Sequence, residues 1–153
     1  MSQLTDAPSA DPIDRLAVRA NDAIALIGRL ALGWIFLSSG FGKLADVAAF
    51  SAVLAKRGVP APSFMGWLGA IVEFGGGVLV ILGLRVRYAA LLLALFVVVA
   101  TAISHRYWEY PAAQMTAQKT NFVKNLAILG GALLLFVTGP GRLSIDRMLS
   151  KKG

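Results

Sequence analysis

Four long apolar runs, at residues 24–44, 65–84, 88–104 and 122–138, constrain this chain more than any other feature. A helix needs roughly 17 to 25 residues to cross about 30 Å of hydrocarbon, and each run meets that length. One such run could be the buried helix of a water-soluble core. Four of them within 153 residues leave too little polar sequence to cover them. Charged residues make up 15% of the chain, against about 25% in an average soluble domain. In hydrocarbon each backbone N–H and C=O must be satisfied within its own segment, which selects helices. The chain therefore reads as an all-α membrane protein, a four-transmembrane-helix bundle.

The segments between the runs divide the chain further. Residues 1–22 read as a polar N-terminal tail and interfacial lead-in, 23–148 as the four-helix domain, and 149–153 as a basic C-terminal tail. A secretory signal opens on a basic region, whereas this chain opens on small and polar residues with Asp6, so the first span is expected to be retained. Asp11 and Pro12 are helix-start signals, and an interfacial helix is expected over 13–21. Segment 45–63 carries Phe50, Val53 and Leu54 at helical spacing and ends in Gly58-Val59-Pro60-Ala61-Pro62. This predicts a short amphipathic helix in the first outer loop, then a turn. The link at Arg85-Val86-Arg87 is so short that runs two and three must be antiparallel neighbours. Before run four, Tyr107, Trp108 and Tyr110 precede Pro111, an aromatic group suited to the membrane–water interface.

The net charge of +7 comes from basic residues that form no patch interleaved with aromatics, so no nucleic-acid partner is expected. Their distribution fits topology instead. Four spans place Arg15, Arg19, Arg85, Arg87, Arg142, Arg147, Lys151 and Lys152 on one side, and Lys56, Arg57, Arg106 and Lys119 on the other. The positive-inside rule then puts both termini in the cytoplasm.

The chain has no cysteine and a single histidine. Thiol–disulfide chemistry, cysteine-ligated iron–sulfur clusters, c-type haem attachment and bis-histidine haem ligation are thereby excluded. No intrinsic cofactor is expected, and electrons for any redox reaction must be supplied from outside the chain. No metal site is expected either, since the helical H-E-x-x-H pattern is absent.

Glu73 is the one charged residue in run 65–84. An ionisable group at mid-membrane costs several kcal/mol unless paired, neutralised or wet, so Glu73 is the prime candidate for a catalytic role. Its helical face reads Gly66, Gly69, Ala70, Glu73, Gly76, Gly77, Val80, and small residues of this kind admit a neighbouring helix. Arg29, Gly33, Phe36, Gly40 and Lys43 share a face of run one, with the two charges about 21 Å apart by helix rise. Lys43, His105, Lys124 and Asn125 all fall at the outer ends of their helices, with Glu73 roughly 9 Å deeper. They are candidate ligand-binding residues of a pocket open to the outer leaflet. Arg29 is a candidate for a structural ion pair, with Arg29 or Lys124 as the partner of Glu73. The competing reading is that Lys43 and Arg29 reach to the interfaces, His105 is solvated and Asn125 only bridges helices by hydrogen bonds.

Several of these pieces occur in one order: Arg29-Leu30 with Gly33, Ser39-Gly40-Phe41-Gly42-Lys43-Leu44, Glu73-Phe74-Gly75-Gly76-Gly77 with Leu82-Gly83, then His105, Lys124-Asn125 and Gly130-Gly131. Gly139-Pro140-Gly141-Arg142-Leu143-Ser144-Ile145-Asp146 closes the series. Over residues 27–148 the chain resembles the DoxX family of small four-helix bacterial membrane proteins. The resemblance implies an inner-membrane protein associated with oxidoreductases, either a quinone-reducing subunit or a scaffold for soluble redox enzymes.

Three functions follow as expectations. In the first, the pocket takes a quinone as substrate: Lys43, His105 and Lys124 hydrogen-bond its oxygens and Glu73 relays the quinol proton. The second is a noncatalytic anchor that recruits a redox partner protein. The third is a small-solute permeator, which would have to form a homo-oligomer because four helices enclose little lumen. Membrane lipids are partners in all three.

Overall fold

A computed structural model describes residues 11–150. The described chain is helical: α1 (Pro12–Ala45), α2 (Val47–Lys56), α3 (Pro62–Leu82), α4 (Val86–Ser104), α5 (Ala112–Thr138) and α6 (Ile145–Ser150), with one 3-10 turn at Tyr107–Glu109. Among the described residues, four helices are long and apolar enough to cross a membrane, the first over Ala20–Ala45. The four-helix membrane architecture, with a short helix in the first loop, is as expected. The expected tails at 1–10 and 151–153 lie outside the described residues.

Three boundaries differ from the sequence reading. The lead-in is no separate helix, because α1 runs unbroken for 34 residues. It starts where Asp11 accepts the Ile13 N–H at 2.8 Å with Pro12 in the first turn, and nothing between 13 and 27 can break it. α5 starts at Ala112, well before its apolar run, since the polar turns after Pro111 contain no breaker. α6 crosses the boundary drawn at residue 148. The first-loop helix is α2, capped by Asp46 on the Ala49 N–H at 2.9 Å, but Ser51 and Leu54 are its buried residues while Val53 is exposed.

Packing is most extensive between α1 and α3, continues from α3 to α4 and α4 to α5, and is sparse between α1 and α5. Glycines set the α1–α3 contact. A Cβ on Gly77 would lie 2.6 Å from the Leu37 amide nitrogen, and one on Gly40 would lie 2.7 Å from the Phe74 Cα. The two backbones therefore touch, the kind of contact that holds helices together where lipid removes any hydrophobic drive. Phe36, Val80, Ala89, Leu93 and Val97 form the core beside this contact. Trp34, Trp67, Tyr88 and Leu134 point outward, as side chains solvated by lipid do.

The ends of the bundle have different chemistry. At the Arg29 end, α3 stops at Gly83 (φ +72°), and Arg85 (φ +49°) begins α4. The segment after α5 folds over this turn. Buried Arg29 donates to the carbonyls of Pro140 at 2.5 Å and Leu143 at 2.7 Å. The Asp146 carboxylate accepts the Arg85 and Val86 N–H groups at 2.8 and 3.1 Å, while its own N–H donates to the Gly83 carbonyl at 2.9 Å. A carboxylate on these free N–H groups also suits the positive end of the α4 dipole. The closing motif of the sequence is thus a clasp joining α1, α3 and α4.

Arg29 is therefore not the partner of Glu73. α1 and α3 run antiparallel, which brings Gly83 level with Arg29 and Glu73 level with Lys43, so the expected Arg29 ion pair is replaced by carbonyl bonds.

Candidate functional site

The opposite end holds an open cavity of about 870 Å³ between α1, α3, α4 and α5, bordered by Phe50 and Leu54 of α2. Lys43 of α1, Glu73 of α3, His105 at the end of α4, and Lys124 and Asn125 of α5 all line it. The sequence placed Lys43, His105, Lys124 and Asn125 at one level with Glu73 deeper, whereas the antiparallel packing brings Glu73 level with Lys43 and all five to one hollow. Phe36, Val97 and Ile128 line its inner part, where it meets the core.

Glu73 is 5% exposed and forms an ion pair with Lys43 across the α1–α3 contact. Lys43 also donates to Ser39 Oγ, one turn back on α1, at 2.9 Å. Its ammonium lies 5.3 Å from the centre of the Phe50 ring and 6.0 Å from that of Phe96. Facing ring electrons and a carboxylate, the cation is compensated in a largely desolvated setting. The close approach of Gly40 and Gly77 is what lets the pair form, because it shortens the span between the two helix axes.

The remaining polar groups are held at the rim. His105 caps the end of α4, and its Nδ1 lies 2.8 Å from Gln118 Oε1 on α5. Asn125 donates to Thr101 Oγ1 at 2.9 Å, joining α4 to α5. Lys124, offered by the sequence as a partner of Glu73, donates instead to Asn121 Oδ1 at 3.1 Å. Two lining groups were not among the candidates from the sequence: Ser39, and Arg57, whose guanidinium donates to the Ile103 carbonyl at 3.2 Å. Ser39 was legible as the residue four before Lys43 on the same face. Arg57 was not, because only the fold of α2 back over α3 turns a loop arginine into the cavity.

Chemically, the arrangement is an apolar slot with one buried acid–base pair and several hydrogen-bond donors near its mouth, the usual pattern of a small-molecule site. Among the described residues no three His, Asp or Glu side chains gather as metal ligands would.

Fold and site together define a small helical integral membrane protein with a ligand-sized cavity at one end. The chain belongs to the DoxX family, whose model matches residues 24–106. It is 35% identical over 134 residues to the inner membrane protein YqjF of Escherichia coli K12, covering 88% of this chain and 98% of that one. The inner membrane protein YphA of the same organism is 32% identical over 128 residues, covering 84% and 91%. A membrane protein of Mycobacterium tuberculosis, Rv3486, is 33% identical over 138 residues, covering 81% and 80%. No solved structure matches the chain significantly.

Proposed function

We propose that this protein is a quinone-handling subunit of an inner-membrane oxidoreductase system, with both termini in the cytoplasm. The supporting observation is the buried Lys43–Glu73 pair inside an otherwise largely apolar cavity of about 870 Å³. A quinone is an apolar ring with two opposed carbonyl oxygens, and it needs few polar contacts, well placed. In this reading Lys43 donates to one oxygen and His105 or Lys124 to the other, with Asn125 fixing the orientation. Reduction of quinone to quinol takes two electrons and two protons. A partner redox protein supplies the electrons, since the chain has no cysteine and one histidine. Both protons come from solvent: one reaches the oxygen held by Lys43 by way of the Glu73 carboxylate, which takes it up and passes it on, and the other enters at the second oxygen through the mouth of the cavity. Relatives named as inner membrane proteins support the location, and the positive-inside distribution supports the orientation.

The test is quinone retention. Protein purified in mild detergent is extracted and its quinone content measured, and a short-tailed ubiquinone is titrated against thermal melting. Co-purified quinone and a saturable rise in melting temperature that Lys43→Met abolishes are expected. Absence of both would sink the proposal.

A noncatalytic anchor is the second reading. It is favoured by the exposed polar turns that open α5 beside Trp108, which is 57% exposed. Loss of partner recruitment on deleting residues 45–63, with recruitment intact in Glu73→Gln, would favour it over the first.

A further inference from the structure

The cavity holds more positive charge than its one carboxylate can balance. Lys43, Arg57 and Lys124 line it together with a single acid, Glu73, and that acid is taken by Lys43. Arg57 and Lys124 take no part in the ion pairs Lys43–Glu73, Arg106–Glu109 and Arg142–Asp22 among the described residues. Their hydrogen bonds, to the Ile103 carbonyl and the Asn121 amide oxygen, satisfy a donor each without neutralising a charge. Arg57 is half-buried and also borders a second, smaller hollow of about 270 Å³ with Lys56, Arg106 and Glu109, whose carboxylate pairs with Arg106. Half-buried Arg57 and exposed Lys124, neither neutralised by a carboxylate, leave the mouth of the slot with a net positive charge that attracts an anion.

The walls say what kind of anion. Leu68 of α3 and Leu95 of α4 line the cavity, yet they are 45% and 62% exposed on the outer face of the bundle. The cavity thus opens sideways through the α3–α4 face as well as at its end. A free anion has no use for a side opening lined by leucine, whereas the chains of a lipid do.

We propose that the mouth of the cavity is a binding site for an acidic phospholipid. Arg57 and Lys124 hold its phosphodiester, and its acyl chains leave along Leu68 and Leu95 into the bilayer. This assignment stands on the charge imbalance and the side opening and does not require the Lys43–Glu73 pair to bind a quinone.

Native mass spectrometry of the full chain in detergent, titrated with phosphatidylglycerol and with phosphatidylcholine, tests it. Phosphatidylglycerol is expected to bind about thirtyfold more tightly, as roughly 1 kcal/mol for each of the two basic residues implies. Arg57→Gln combined with Lys124→Gln is expected to remove that preference, while Arg57→Lys combined with Lys124→Arg keeps it. Melting of each variant in detergent shows whether it folds, and the charge-keeping pair preserves the test if the neutral pair does not. Equal affinity for the two lipids, or an unchanged preference in a folded neutral variant, overturns the site. Displacement of phosphatidylglycerol by inorganic phosphate at millimolar concentration overturns the lipid assignment. The quinone reading fails separately, when Lys43→Met leaves the melting response to short-tailed ubiquinone unchanged while the preference for phosphatidylglycerol persists.

Discussion

Lys43 and Glu73, thirty positions apart in sequence, form the ion pair that joins the end of α1 to the middle of α3. Glu73 is nearly sealed, while Lys43 keeps a quarter of its side chain exposed at the cavity wall. The lysine is therefore the partner a ligand meets first, and the glutamate depends on it for compensation.

Removing one member of the pair should cost more than removing both. Lys43→Met leaves a buried carboxylate without its cation and is expected to lower stability by about 3 kcal/mol or more. Lys43→Met with Glu73→Gln should recover most of that loss. Thermal melting in one detergent, compared across the single and double variants, checks the sign.

The run Gly75-Gly76-Gly77 should respond position by position. A methyl group added at Gly75 would meet nothing within 4 Å, so Gly75→Ala should be neutral or gain up to about 1 kcal/mol from helix propensity. A Cβ at Gly76 meets Leu93 Cδ2 at 2.7 Å, and one at Gly77 meets backbone of α1. Gly77→Ala is expected to be the most damaging, by about 1–3 kcal/mol, because backbone cannot rotate away as a leucine can. The three melting temperatures order themselves accordingly.

The clasp at the Arg29 end should be separable from the site. Asp146→Ala removes the carboxylate that accepts the first N–H groups of α4, at a cost of about 1 kcal/mol. Hydrogen exchange should rise at Arg85 and Val86, while the melting response to short-tailed ubiquinone is unchanged. A lost response with a folded clasp variant would tie the two ends together.

The absence of cysteine makes orientation directly testable. Ala113→Cys places a thiol at the start of α5 and Met148→Cys one in α6, at opposite ends of the bundle. Both positions are exposed. With both termini cytoplasmic, a membrane-impermeant maleimide should label Ala113→Cys in intact cells and Met148→Cys only after permeabilisation.

Much of this protein was legible in its sequence, because hydrocarbon is a demanding solvent. Four apolar runs of sufficient length determine four helices, and the stripe Gly66, Ala70, Glu73, Gly76, Gly77, Val80 is the buried face of α3. The same rule put Lys43, His105, Lys124 and Asn125 at one level, since helix rise converts sequence position into depth. Depth, however, is only one coordinate. Which cation meets Glu73 depends on which helices touch, and sequence spacing left Arg29 and Lys124 as candidates.

The tertiary structure decided that question through backbone contact. Gly40 and Gly77 bring α1 and α3 close enough for Lys43 to reach Glu73, while antiparallel packing carries Arg29 to the far end and into the carbonyls of Pro140 and Leu143. It likewise folded α2 over α3, turning Arg57 from a loop charge into a wall of the cavity. Periodicity determined what each helix presents and how deep. Only the contacts between helices, set by the absence of side chains at two glycines, decided which of those groups meet.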